Sequence, residues 1–185
     1  MQNPPESGHM DGLVAIYEAG DEDARMADAS NRVEWERTLD LLDRWLPPAP
    51  ARVLDIGGGP GRYAQRLQDS GYLVTLLDPV PKHVEQARPE VCAHLLRILE
   101  HGQDTEGSTF HQVSYNHDPE EFREEVAMAG LADVIVVGVE GPLGTEARVD
   151  PSLADAAIAA ARIAETRAPH FSLHLLARGV KGVGR

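Results

Sequence analysis

Apolar and polar positions along this chain fall into blocks whose period switches between helix-like and strand-like spacing. From about Ser30, Trp35, Leu39, Leu42 and Leu46 recur on one helical face. Asn31 and Glu34 stand at capping-box spacing, which predicts a helix ended by Pro47, Pro48 and Pro50. Arg52 to Ile56 reads as a buried strand that breaks abruptly into glycines at Gly57, Gly59 and Gly61. A helix is predicted from Gly61 to about Asp69, with Tyr63, Ala64 and Leu67 inward and Gly71 as its left-handed stop. Tyr72 to Leu77 is apolar at nearly every position, as expected of a strand with helices on both faces.

Pro81 opens a predicted helix through Lys82 to Arg88, and Pro89 kinks or restarts it. Val91, Leu95, Ile98 and Leu99 then mark the inner side of a new helix that ends at Gly102. Gln103 to Ser108 is read as a loop, and Thr109 to Tyr115 as an extended segment. Asp118, Pro119 and Glu121 combine cap, first-turn proline and capping-box acid, starting a helix through Phe122 and Val126 that stops at Gly130. A buried strand is expected over Asp133 to Val139, a capped helix from Asp150 and Pro151 to about Thr166, and a last strand over Phe171 to Ala177. Strands alternating with helices in this way predict an α/β fold.

Composition narrows the functions available. At 185 residues and 42% apolar content, the chain is expected to form one domain over 13–185 behind a disordered N-terminus at 1–12. A net charge of −13 excludes nucleic acid and anionic membranes as natural partners, and favours a neutral or cationic small molecule. Cys92 is the single cysteine, so neither an intrachain disulfide nor a cysteine-rich zinc site is expected. With no long apolar span and no secretion-type leader in this sequence, a cytoplasmic location is expected.

The chemistry concentrates in VLDIGGGPG, Val53 to Gly61, and in Asp78 at the end of the next apolar run. Glycines without Cβ let backbone N–H groups and a helix N-terminus approach an oxygen-rich ligand, and an acid ending the following strand suits a ribose diol. The pattern is not the dinucleotide fingerprint, because Arg62 stands where its last glycine belongs.

The spacing from Asp55 to Gly61, with Asp78 beyond, resembles class I S-adenosylmethionine-dependent methyltransferases. EAGDEDAR, ERTLDLL, DPVPKHVEQAR and VEGP are similar to segments of the family's small-molecule members in bacterial secondary metabolism. The resemblance implies S-adenosylmethionine (or S-adenosylhomocysteine) as cofactor, held by Asp55, Gly57, Gly58, Gly59, Gly61 and Asp78. Tyr17 and Arg25 fall in a segment that resembles the family's cofactor-covering N-terminus. Arg37 also matches the family, though its spacing suits a surface arginine paired with Glu34. His83 stands where the family often has a histidine beside the cofactor edge. His111, Tyr115 and His117 occupy a segment that resembles its substrate-facing stretch, where a histidine could serve as general base. His170 and His174 read as structural, and no metal site is expected.

One departure qualifies the resemblance. HLLRILEHG and YNHDPEEFREEV look like segments that normally follow the family's fifth strand, so the third to fifth strands are expected to be missing around Pro89. The expectation is therefore a truncated Rossmann-like methyltransferase sheet of about four strands, order 2-1-7-6 in family terms, flanked by helices. A homodimer, in plain or domain-swapped form, would cover the edge at Val53, Leu54 and Ile56. Two functions stay open: methyl transfer to a small molecule, or a binding, assembly or cyclase-like protein that no longer methylates.

Overall fold

The computed structural model describes residues 8–87, 92–95 and 118–181. Two compact units share the chain, one of Met1–Arg25 with Pro47–Tyr115, the other of Met26–Leu46 with Asn116–Arg185. Helix α1 (Gly8–Ala19) begins inside the stretch expected to be disordered, and α2 (Glu22–Ala27) follows it.

Next comes α3 (Arg32–Trp45), as the apolar spacing predicts. Its deepest face is a different one: Trp35, Leu39 and Leu42 are half-buried, while Val33, Arg37 and Leu41 are buried. Asn31 precedes the helix without a side-chain capping bond.

Strand β1 (Arg52–Ile56), helix α4 (Arg62–Asp69) and strand β2 (Leu73–Asp78) follow, close to their expected limits. β1 pairs with β2 in parallel, Arg52 opposite Leu73 and Ile56 opposite Leu77. Val74 and Leu76 are buried, as are Ala64 and Leu67 of α4. The opposite face is open, with Leu54 56%, Ile56 62% and Leu73 65% exposed. The expectation of helices over both faces therefore fails among the described residues, and the strand shows an alternating pattern instead.

Helix α5 (Pro81–Gln86) leads to β3 (Cys92–Leu95), which pairs in parallel with β2, Thr75 opposite Cys92. A helix was expected here. Four apolar-rich residues are too short for periodicity to separate strand from helix, and β2 offers a free side for a partner. The remainder of that expected helix and the segments through Tyr115 lie outside the described residues.

Helix α6 (Pro119–Met128) starts as predicted, with the Asp118 side chain accepting from the Glu120 N–H at 2.9 Å. β4 (Leu131–Gly138), α7 (Gly144–Val149), α8 (Ala154–Ala164) and β5 (Leu175–Lys181) complete the chain. β4 and β5 pair antiparallel, with a bulge between Ala132 and Ile135 where Asp133 takes φ 53°. Leu41, Val137 and Val139 form one core group, and Val33, Ala147, Ala154 and Ala157 another.

The described strands thus form two ladders, β1-β2-β3 and β4-β5. β1 pairs with β2, and β4 with β5, each within its own compact unit. A strand also stands beyond β2, where the expected order 2-1-7-6 leaves an edge.

Arg37 corrects the reading of a surface arginine. The helical spacing Val33, Arg37, Leu41 turns it inward, where its Nη2 donates to Glu165 at 2.7 Å and its Nε to the Val139 carbonyl at 3.3 Å. Its Nη1 donates to Asp40, which also takes Arg162 at 2.6 Å. Hydrogen bonds from Arg44 and Arg37 hold Glu165 below the usual carboxylate range, against the opposing push of burial. The buried guanidinium is stable because every direction of its fork meets an acceptor.

Candidate functional site

The glycine turn connects β1 to α4. Gly57, Gly59 and Gly61 have φ of 73°, 58° and 84°, a left-handed region that a side chain strains to enter. Gly57 N–H donates to Leu77 O at 2.7 Å and Gly61 N–H to Gly58 O at 3.1 Å. Gly58 lies against the layer beneath, since a Cβ there would meet the Asp55 carboxyl and come within 2.6 Å of Leu76 Cδ1. At Gly57 a Cβ would meet nothing within 4 Å.

Asp55 and Asp78 occupy the layer under the turn. Asp55 Oδ2 is buried without a hydrogen-bond partner among the described residues. Burial, with the charge of Asp78 adding to it, pushes the Asp55 carboxyl above its usual range. Asp78 is buried too, but partnered: Oδ2 accepts from Gly59 N–H at 2.8 Å, and Oδ1 from Val80 N–H at 2.9 Å. His83 Nδ1 lies 3.0 Å from the same Oδ1, and its Nε2 is buried without a partner among the described residues. A carboxylate offers roughly four acceptor positions, so Asp78 keeps about one.

The N-terminal segment packs on the turn. The Tyr17 ring meets His83 edge-on with centroids 5.7 Å apart, and burial, followed by Glu22, raises the Tyr17 phenol above its ordinary value. Glu22 would come within 3.7 Å of a Cβ on Gly59, and it forms a hydrogen-bonded ion pair with Arg25 at 2.6 Å. Lys82 Nζ donates to the carbonyls of Glu18 and Gly20, and Arg62 Nη1 donates to Asp23 O at 3.1 Å. Of the residues expected to form a cofactor site, the structure gathers Tyr17, Asp55, the glycines and Asp78, while Arg25 turns toward Glu22. His83 was expected beside the cofactor edge from the resemblance, while its contact with Asp78 was not read from the sequence.

The other unit holds a second cluster. Glu140 is buried beyond β4; its Oε1 meets His174 Nδ1 and lies 3.4 Å from Arg148 Nη2. Its Oε2 accepts from Ser172 Oγ at 2.8 Å and from His174 N–H at 3.1 Å. Arg148 Nη2 also donates to Glu34 Oε2 at 3.1 Å. The candidate ligand atoms of Glu34, Glu140 and His174 lie within 4.8 Å of one another, a spacing a metal ion could use. Arg148 already supplies the cation between those carboxylates, which makes the arrangement a salt-bridge cluster rather than an open metal site. His174 was expected to be structural; its tie to Glu140 spans 34 positions, beyond the reach of local pattern. His111, Tyr115 and His117 lie outside the described residues.

A family profile described as "Methyltransferase domain" matches residues 28–137. Uncharacterized methyltransferases of Mycobacterium bovis and of two Mycobacterium tuberculosis strains are each 39% identical over 49 residues, covering 26% of this chain. The matched stretch spans 20% of those relatives' length.

Proposed function

Because this chain belongs to the class I S-adenosylmethionine-dependent methyltransferase family, we propose that it binds S-adenosylmethionine at the glycine turn and methylates a small molecule of secondary metabolism. What supports this reading is the left-handed glycine turn, open beside Gly57, above an Asp55 Oδ2 that is buried under Gly58 without a partner among the described residues. An unpartnered acceptor costs stability unless a ligand completes it, and a cationic ammonium group is the complement of that oxygen. The residues present therefore fit the cofactor. Asp55 would take its ammonium group, the turn would allow backbone approach, and Asp78 would take a ribose hydroxyl. A diol needs more than the one acceptor position left on Asp78, so binding would exchange one existing bond, that of His83 being the side-chain one.

When bound, the cofactor supplies an electrophilic methyl group. The chain's own contribution is chiefly to hold the reactants in line, which needs few chemical residues. In this reading His117, with His111 and Tyr115 as neighbours in sequence, takes the proton of the acceptor; unchanged turnover in His117→Ala would end that assignment. A second copy covers the open face carrying Leu54, Ile56 and Leu73, a monomeric mass by light scattering at micromolar concentration being the contrary result. The location proposed is the cytoplasm; among the described residues no helix is long and apolar enough to cross a membrane.

A second reading draws on Asp78. A carboxylate already committed to Gly59, Val80 and His83 suits a descendant that keeps the shell and serves binding, assembly or cyclase-like chemistry. Calorimetry with S-adenosylhomocysteine separates the two. Saturable heat that is lost in Gly59→Arg supports the transferase, and absence of heat at millimolar ligand overturns it.

A further inference from the structure

The segment Pro169–His174 runs as a strap into β5 and crosses the end of β4. A Cβ on Gly138 would stand 2.8 Å from Ser172 Cβ and 3.1 Å from Pro169 Cα, so the strap lies directly on that glycine. Val139 N–H donates to His174 O at 3.0 Å, and the N–H groups of Glu140 and Gly141 donate to Ser172 Oγ at 2.8 and 3.2 Å. Ser172 and His174 face Glu140, while Phe171 and Leu173 are exposed.

The charges around the His174 ring come from each element packed against it. Glu34 of α3 places Oε2 4.0 Å from Nδ1, Glu140 meets Nδ1 from beyond β4, and Arg148 of α7 bridges the two carboxylates. With the imidazole protonated, two carboxylates face two cations. With it neutral, one negative charge is left over beside a buried carboxylate, where low polarity makes imbalance costly.

We propose that this cluster is a proton-operated clasp: protonated His174 fastens the strap over the carboxyl end of β4, and loss of that proton loosens it. The hydrogen bond to Glu140 raises the His174 pKa above its ordinary value, burial opposing it and the charges of Glu140 and Glu34 adding to it. Burial alone would raise Glu140, but its hydrogen bonds from His174 and Ser172 bring it below the usual carboxylate range. The His174 contribution is complete below the ordinary histidine pKa and disappears as pH rises through the elevated one. The Glu140 contribution is complete above the ordinary carboxylate pKa and disappears as pH falls through the depressed one. The clasp is therefore tightest between these limits.

The test uses the full chain, following the His174 ring by NMR together with hydrogen exchange at the amides of Glu140, Gly141 and His174, corrected for intrinsic rate. His174 is expected to titrate above the ordinary histidine range. Protection of the three amides should fall about tenfold for each unit of that elevation as the proton is lost, while β1 amides stay unchanged. In Glu140→Gln the ring should return toward ordinary behaviour and the coupling vanish. In His174→Gln, with no ionisation left, protection should be lower and flat across the same range. Protection that holds through the His174 transition, or that still tracks pH in His174→Gln, overturns the clasp. The second variant decides the matter if Glu140→Gln does not fold.

Discussion

Each compact unit carries a histidine whose Nδ1 meets a buried carboxylate at or just beyond the end of a strand, yet the two pairs are built differently. At Asp78 and His83 both side chains are 4% exposed, and the second ring nitrogen is sealed in without a partner among the described residues. At Glu140 and His174 the carboxylate is as deeply buried, but the ring is 48% exposed. The sealed ring packs against Tyr17 and joins Asp78 in a brace that fixes the glycine turn through Gly59. The open ring reaches water on its far side, and the same pairing becomes a device that responds to pH. Solvent access on the far side of the imidazole, rather than the carboxylate contact itself, separates support from response.

The largest effect is expected where the brace loses its centre. Asp78→Ala strands the N–H groups of Gly59 and Val80 together with His83, and should cost about 3 kcal/mol or more. Urea unfolding would measure it. A loss below about 1 kcal/mol would mean that Asp78 does not organise the turn. Gly58→Ala comes next: its new Cβ would collide with the Asp55 carboxyl and Leu76, for a loss of about 1–3 kcal/mol. Unchanged stability there would show that the layer under the turn is loosely packed.

Asp55 should respond in the opposite direction. Its pKa is raised in the folded chain, so the fold favours the protonated carboxyl, and stability is lost as pH rises through that value. Asp55→Asn imitates the protonated form at every pH. It should stabilise the chain near neutrality by about 1 kcal/mol, a rise of a few degrees in Tm, and the gain should fade in acid. The same variant should weaken binding of S-adenosylhomocysteine. Stability gained at the expense of binding would mark Asp55 as a ligand group, whereas a gain in both would make it a packing defect.

What the sequence disclosed follows from range. The limits of β1, the glycine turn and the α6 start were legible because each depends on neighbours in the chain: an apolar run, alternate glycines, an Asp-Pro cap. Arg37 was misread because its burial depends on Glu165, 128 positions away, and a helical pattern cannot tell a buried arginine from a surface one. β3 was misread because four residues carry no period. Asp78 was found as an acid at the end of a strand, but its commitment to Gly59 and His83 appears only when the turn closes on it.

The last contrast is the most selective. His83→Gln and His174→Gln remove the same ionisable ring from the two pairs, and each retains a neutral donor for the carboxylate. In the sealed pair, glutamine should lower stability by about 1–2 kcal/mol through lost packing and an imperfect hydrogen bond. In the open pair, about half the ring already lies in water, so the loss of packing should be below about 1 kcal/mol. What changes there is the slope. The wild type should lose stability as pH rises through the elevated His174 pKa, and His174→Gln should remove that loss, bringing the two chains closer together above it. Thermal unfolding of both variants across this range tests the contrast directly. If removing His83 flattens the profile and removing His174 does not, the roles assigned to the two histidines are reversed, and solvent access is not what distinguishes them.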